Sequence, residues 1–437
     1  MKKSTRILAL VFALIMLLSC LASCGGKAQA LMTLDQRTLS VNTYRLMLSI
    51  RKGEMAFAIA QGYGSANSEK FWGTVIDGSS STYDDYYTAE VFGKAKSYLA
   101  ALAFFDDLGL TLPSSYEKTV DEEMAALVAE DGEGSKAKLN SILAEFGANY
   151  EILRDYKLMV KKIEYLILSL YGSDASKVST SLKESYLEEN YVAFKQILLS
   201  NFYYLFETDK NGDEIYFDGN GSIAYDTQNG IAVPEGGVFV YYTEDGRIAY
   251  DKVNGKRKPI TDEKGNQLTQ NYTQDEMLDR LNLAIQLRDV AEDASASTFE
   301  NLRLAYSDEE LGTDHNSEAL SYLGTSISYA AISSSWKTLD TLSSKLAEME
   351  IGQIAILQTE AGIHIVRKYP TESGAYADDR YSQWFTDSLY RIYDFNSNLV
   401  NELLTARIAD YDAQITVNTE LLKGISLKNS PSNFYYN

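Results

Sequence analysis

Residues 202–271 are punctuated by Asn211-Gly212, Asp218-Gly219, Asn220-Gly221, Asn229-Gly230, Asp245-Gly246 and Asn254-Gly255. Both dipeptides accept the positive φ angles of tight turns. The Tyr-, Ile-, Val- and Phe-rich runs between them, such as Glu214-Ile215-Tyr216-Phe217 and Val238-Phe239-Val240-Tyr241-Tyr242, therefore read as short hairpin strands. Such a block cannot be helical, and the rest of the chain has to be arranged around it. Residues 208–213 and 243–247 are loosely alike, which predicts repeated hairpins. Asp209, Asn211 and Asp213 also imitate the opening of a calcium loop. Glu214 stands where that loop needs glycine and Asn220 where it needs a bidentate glutamate, so a plain turn is expected.

On the N-terminal side of the block the texture is helical. Ala30-Leu31-Met32-Thr33-Leu34 reads as a strand, and residues 38–42 lead into a helix beginning near Tyr44. Residues 87–108 carry Val91, Ala95, Leu99, Leu102 and Phe105 at intervals that put them on one helical face, with Gly109 as the stop. Pro113-Ser114-Ser115 opens another helix, and residues 135–170 give two more, broken at Gly147-Ala148-Asn149. A helix over 179–189 then hands over to a strand over 191–199.

Beyond the block, Thr273 is placed to cap a helix running through Leu278, Leu281, Ala284, Leu287 and Val290. A second helix is expected over 298–305 and a third over 339–349. A hairpin over 354–367 follows, its second strand carrying His364. From residue 189 onward the order is therefore β, α, α, α, β, β. Residues 381–410 predict one long amphipathic helix with Trp384, Leu389, Ile392, Phe395, Leu399, Leu403 and Ile408 in its apolar stripe. Ile415-Thr416-Val417-Asn418 predicts a final strand.

The N-terminus places Lys2, Lys3 and Arg6 ahead of the apolar run 7–18, which ends in Leu21-Ala22-Ser23-Cys24. This has the form of a bacterial lipoprotein signal, with residues 1–23 removed and lipid carried on Cys24. An uncleaved anchor or an ordinary secretory signal is the alternative. Cys20 is the rival site, but Leu18 precedes it where Ala22 precedes Cys24. An extracytoplasmic, membrane-tethered body is expected, and no second apolar run is long enough to cross a bilayer. Both cysteines lie in this segment, so stability has to come from buried apolar surface rather than disulfides. The formal net charge of −21 argues against nucleic acid and is compatible either with basic client segments or with solubility alone. No cofactor or metal is expected: two histidines cannot by themselves build a zinc site, and no Gly-rich phosphate loop is present.

Phe299-Glu300-Asn301-Leu302 leading to Tyr306-Ser307-Asp308, then Leu323-Gly324, Gly352-Gln353-Ile354 and Gly362-Ile363-His364-Ile365-Val366, form a spaced series that resembles the parvulin peptidyl-prolyl isomerases. With the lipoprotein signal and the helical flank, the chain is similar to foldase lipoproteins of the PrsA type, related to the SurA-like chaperones. The resemblance implies an α+β fold. Residues 30–188 plus 376–420 would form a helical chaperone module and 189–370 a parvulin-like βαααββ domain, with 202–271 as a β-rich insertion after its first strand. Some Tyr, Phe and Leu side chains of the module would line an open cradle, the others filling its core.

Isomerising a prolyl bond means lowering a barrier of roughly 20 kcal/mol by binding the twisted amide better than either planar form. Parvulins use no metal and no covalent step. They use two neighbouring histidines, a Cys or Asp near the substrate carbonyl, and an apolar proline pocket. Carried over, His364 matches the second histidine, Gln196 stands at the first, and Asp308 or Glu309 falls near the Cys/Asp position. The other histidine, His315, lies in an expected polar loop. Glutamine hydrogen-bonds but does not titrate near neutral pH, so paired-imidazole tuning is lost. Two classes stay open: an isomerase acting on unfolded or partly folded exported polypeptides, and a non-catalytic holdase built on a degenerate parvulin domain. A solute-binding lipoprotein lacks the alternating βαβ pattern it would need.

Overall fold

The computed structural model describes residues 29–76, 80–292, 296–309, 319–325, 334–381, 392 and 394–433. The expected signal segment with Cys20 and Cys24 lies outside the described residues, as do His315, Trp384 and Leu389. The chain divides into two units, Met1–Leu187 with Tyr393–Asn437, and Glu188–Ile392. Among the described residues no helix is long and apolar enough to cross a membrane.

The first unit opens on the strands β1 (Ala30–Leu34) and β2 (Arg37–Ser40). Helix α1 (Val41–Tyr63) starts three residues before Tyr44 because Ser40, the last residue of β2, also caps it by accepting from Thr43 N–H. The short α2 (Glu69–Gly73) buries Phe71 and Trp72. Thr82 and Asp85 cap α3 (Tyr83–Asp107) reciprocally, side chain to backbone in both directions. Its buried face includes Val91, Ala95, Leu99 and Phe105, as the periodicity predicts. Then follow α4 (Ser114–Ala129), α5 (Lys136–Leu143), α6 (Tyr150–Tyr171) and α7 (Thr180–Asn190).

This unit is closed by the far end of the chain. Val400, Leu404 and Ile408 of the helix Phe395–Asp412 share a core with Ala100, Ala101, Phe105, Ile163 and Leu166. The strand Thr416–Val417 pairs antiparallel with β1, Met32 opposite Val417, on the edge that β2 leaves free. The long helix expected over 381–410 is not continuous. Tyr381 ends a short 3-10 turn, Asp379–Tyr381, where its hydroxyl bonds Glu372 at 2.6 Å and its carbonyl accepts from Ile392 N–H. Asp394, at φ 44°, then redirects the chain one residue before the helix begins. Apolar periodicity in sequence does not encode such a break.

In the second unit β3 (Tyr191–Ser200) is an inner strand of a four-stranded sheet, with a neighbour on each side. Between β3 and the rest of this sheet lies the hairpin block, with β4 (Phe202–Tyr204), β5 (Tyr216–Phe217), β6 (Ile231–Glu235), β7 (Val238–Tyr242), β8 (Lys256–Arg257) and β9 (Thr269–Asn271). Helices α8 (Gln274–Glu292) and α9 (Ala296–Tyr306), strand β10 (Ser321–Gly324), helix α10 (Ser334–Glu348), and strands β11 (Ile354–Thr359) and β12 (Gly362–Tyr369) complete it. The expected βαααββ order therefore gains a strand: Leu323-Gly324 belongs to β10, which pairs with β3. Four residues are too few to show a period of two, so the strand is invisible in sequence.

Successive residues alternate between faces of this sheet. Ile197, Leu199, Ile363 and Ile365 pack under α8 and α9 with Ala284, Leu287 and Phe299. Phe194, Leu323 and Val366 face the other way, under Leu339, Leu342 and Leu346 of α10. Gln196 and His364 belong to this second face, since Gln196 pairs with Val366 and His364 with Leu198.

The hairpin block is a ladder of short pairs closed by side-chain-capped turns. Asp209, Asp218 and Asp262 each accept two backbone N–H groups from their own turn through Oδ1. Asp209, which imitated a calcium ligand, is thus engaged by the turn itself. The similarity between turns extends to a tandem repeat: Tyr216, Ala224, Tyr225, Asp226, Asn229 and Gly230 recur at one constant spacing as Tyr241, Ala249, Tyr250, Asp251, Asn254 and Gly255. Each repeat packs on the other. A Cβ at Gly230 would lie 2.8 Å from that of Tyr241, and one at Gly255 would lie 2.8 Å from that of Tyr216.

Candidate functional site

The polar residues of the α10-side face gather where β10 no longer covers β3. β10 pairs with β3 only from Tyr191 to Phe194, so the edge from Gln196 to Ser200 needs other partners. The segment after α9 supplies them. Ser307 Oγ accepts from Leu198 N–H at 3.1 Å, Asp308 N–H donates to the Leu198 carbonyl at 2.8 Å, and Asp308 Oδ2 accepts from Ser200 N–H at 2.9 Å. This docking brings Glu309 over Gln196.

From there a single chain of hydrogen bonds crosses the sheet. Gln196 Nε2 donates to Glu309 Oε1 at 2.7 Å, Gln196 Oε1 lies 2.9 Å from His364 Nδ1, and His364 Nε2 lies 2.8 Å from Thr359 Oγ1. Gln196 is 2% exposed and His364 is fully buried. The direction of the chain follows from its carboxylate end. An ionised Glu309 can only accept, so the glutamine presents its N–H to it and its oxygen to the ring; His364 must then carry its proton on Nδ1 and accept the Thr359 hydroxyl proton at Nε2. Thr359 Oγ1 in turn accepts from Ala361 N–H at 3.1 Å.

Burial alone pushes the imidazole of His364 down to about 4, so the ring is neutral at physiological pH. Burial also raises the Glu309 carboxyl, against the opposing pull of the Gln196 donor and of the Arg303 charge. The centre is therefore an oriented chain of donors and acceptors carrying at most one charge, at Glu309. Its donors and acceptors are engaged with one another, and a proton can be gained or lost only at Glu309. Among the described residues no cluster of metal-ligating side chains occurs.

Of the residues singled out in the sequence, the structure brings His364, Gln196 and Glu309 together and sends Asp308 elsewhere. Asp308 pairs with Arg280 of α8, whose guanidinium lies 4.5 Å from the Tyr272 ring centre at the root of the hairpin block. Thr359 was missed. Its signal was present in the hairpin register: Thr359 faces Gly362 and Leu357 faces His364, so Thr359 and His364 share a face across a tight turn. Ser307 was missed because its task, satisfying a strand edge, appears only once β10 is known to stop short.

No family model matches the chain, and no curated protein does so. Among solved structures the chain is similar to PrsA from Bacillus subtilis, at 13% identity over 81% of this chain and 93% of that one, with a TM-score of 0.17. It is also similar to the foldase protein PrsA from Streptococcus pneumoniae str. Canada MDR_19A, at 11% identity over 80% of this chain and 96% of that one, with a TM-score of 0.18. At such values the chemistry has to be read from this chain's own side chains.

Proposed function

We propose that this chain is an extracytoplasmic folding helper, held at a membrane by lipid on Cys24, that binds unfolded or partly folded exported polypeptides. In this reading residues 189–370 form a parvulin-like peptidyl-prolyl isomerase domain, and 30–188 with 376–420 a helical chaperone module. The observation that carries the reading is the direct contact between Gln196 and His364, with Thr359 and Glu309 at its two ends. It joins the positions the sequence resemblance singled out. The N-terminal signal pattern supports the location, and the acidic chain favours clients with basic segments.

One feature favours a second reading, a holdase without turnover. Both ring nitrogens of His364 are engaged and the ring is buried and neutral, so it has no free group to offer a substrate.

Two assays on the mature chain separate these readings. Proline-peptide isomerisation that disappears in His364→Ala supports the isomerase. Absence of turnover together with suppressed aggregation of an unfolded, proline-free client supports the holdase. A chain that does neither is not a folding helper. Mass analysis of Cys24, and release from membranes in Cys24→Ala, test the anchor.

A further inference from the structure

The C-terminal residues 425–433 are seated in the cleft between α1 and α3 of the first unit, and the seat grips their main chain. Thr88 Oγ1 accepts from Leu427 N–H at 2.9 Å, and Asp84 Oδ1 accepts from Lys428 N–H at 2.7 Å. Lys52 Nζ donates to the carbonyls of Lys428 at 2.8 Å and Ser430 at 2.7 Å. The Ser49 carbonyl accepts from Asn433 N–H at 3.0 Å. Gly53 completes the cleft, since a Cβ there would fall 1.7 Å from the Asn433 carbonyl oxygen. The side chain that goes deepest is Leu427, fully buried.

Such a seat asks little of the sequence it holds. Peptide N–H and C=O groups are common to every polypeptide; the side chains add one buried apolar residue, Leu427, an ion pair of Lys428 with Glu69, and the buried Ser430 and Asn433. It also presents a placed cation to the main chain it holds. Lys52 is 1% exposed, and its ammonium, 5.6 Å from the Trp72 ring centre, finds its acceptors in the two tail carbonyls. Without the segment the ammonium would lose both carbonyl acceptors and regain water beside the Asp84 and Glu69 carboxylates, which leaves it as a placed donor for any carbonyl-bearing chain that enters the seat. The resident segment is an imperfect fit: the Ser426 and Ser432 hydroxyls make no hydrogen bond within the protein, a shortfall that favours exchange for another chain.

We propose that the cleft between α1 and α3 is a binding seat for apolar segments of other unfolded polypeptides, and that residues 425–433 are its resident competitor. This rests on the client-binding reading and adds to it a location, a mode of recognition and a built-in limit on affinity.

The test compares the intact chain with one ending at residue 423. The probes are two dye-labelled peptides, one with the sequence of residues 424–433 and one in which every side chain except the leucine is replaced by alanine. The shortened chain should bind both on the order of tenfold or more tightly than the intact chain, because the competitor no longer occupies the seat. A shortened chain that keeps its helical circular dichroism yet binds neither peptide, or binds only the one with its own sequence, overturns the proposal. A second measurement needs no truncation: excess alanine-leucine peptide added to the intact chain should speed hydrogen exchange at the Leu427 and Lys428 amides. Unchanged exchange while the intact chain still suppresses client aggregation removes this seat and leaves the folding-helper reading standing. Loss of aggregation suppression altogether removes that reading itself.

Discussion

The carboxamide of Gln196 fixes the proton of His364: its oxygen lies 2.9 Å from Nδ1, while its Nε2 donates to Glu309 Oε1 at 2.7 Å. An imidazole in that position could exchange roles with its neighbour by taking or losing a proton. An amide cannot, and it transmits the polarity of Glu309 to the ring without titrating. Gln196→Leu should therefore leave both the His364 Nδ1–H and the Glu309 carboxyl without their partner, at about 1–3 kcal/mol for each orphaned group. Urea unfolding of the variant measures this, and an unchanged midpoint would show that the chain of bonds contributes nothing to stability.

The buried ring also sets a pH dependence. The His364 imidazole is held down to about 4 against an ordinary 6.5. Between those values the unfolded chain takes up a proton that the folded chain refuses, so this contribution is intact above about pH 6.5 and is lost on acidification toward 4, approaching about 3 kcal/mol. His364→Gln has no proton to take up there. Its unfolding midpoint, followed from pH 7 to pH 4, should fall less than that of the parent chain. Parallel profiles would place the acid sensitivity in other groups.

Glu309 works in the opposite direction. Burial raises its carboxyl, so the folded state binds that proton more readily than the unfolded state. This contribution is present below the unfolded value near 4.5 and fades as the pH rises through the raised value. Glu309→Gln can still accept from Gln196 without burying a charge. It should be more stable than the parent at neutral pH, with the difference closing below pH 4.5. The reverse order at pH 7 would mean that the ionised carboxylate is held more favourably than its burial suggests.

The sequence carried these features unequally. The hairpin block was legible because Asn-Gly and Asp-Gly have a local conformational cause, which Gly212, Gly221 and Gly246 obey at positive φ, while Gly219, Gly230 and Gly255 do not. β3 and β12 were legible as apolar runs, but the facing of Gln196 and His364 was not: the resemblance named the two positions, and only the strand pairing puts them side by side. The break at Asp394 was not, because apolar periodicity does not encode a single left-handed residue. Ser307 was not legible either, for a different reason: its hydroxyl acquires a role from where a neighbouring strand stops, a tertiary fact, whereas the local register of a tight hairpin already puts Thr359 on the face of His364.

The tandem repeat gives a test of how the hairpin block holds together. A methyl group at residue 255 would meet the Asp251 carbonyl at 2.6 Å and Tyr216 Cβ at 2.8 Å. The first of these is backbone and cannot swing aside. Gly255→Ala should therefore loosen the packing of one repeat on the other, at about 1–3 kcal/mol, while the β3–β12 pairing stays intact. Hydrogen exchange should accelerate at the Ala224 and Asp251 amides and not at His364. Acceleration at all three would show that the block and the sheet unfold together.

Glu300 receives Lys195 at 2.7 Å and Arg303 at 2.6 Å in a largely enclosed cluster on the α9 side of the sheet. Burial works against its ionised form, but the two cations overcome that and hold its carboxyl below the usual range. Replacing only the carboxylate, as in Glu300→Leu, removes the anion both cations share and should cost about 3–5 kcal/mol. Replacing all three with Lys195→Met, Glu300→Leu and Arg303→Met should recover most of that loss, because no enclosed charge remains. The triple variant has a second consequence, since Arg303 is also one of the groups that restrain the rise of the Glu309 carboxyl. Its removal should move the titration of Glu309, followed by carboxyl NMR shifts, to higher pH. An unmoved Glu309 would separate the ion cluster electrically from the Gln196–His364 centre and confine its role to packing α9 against β3.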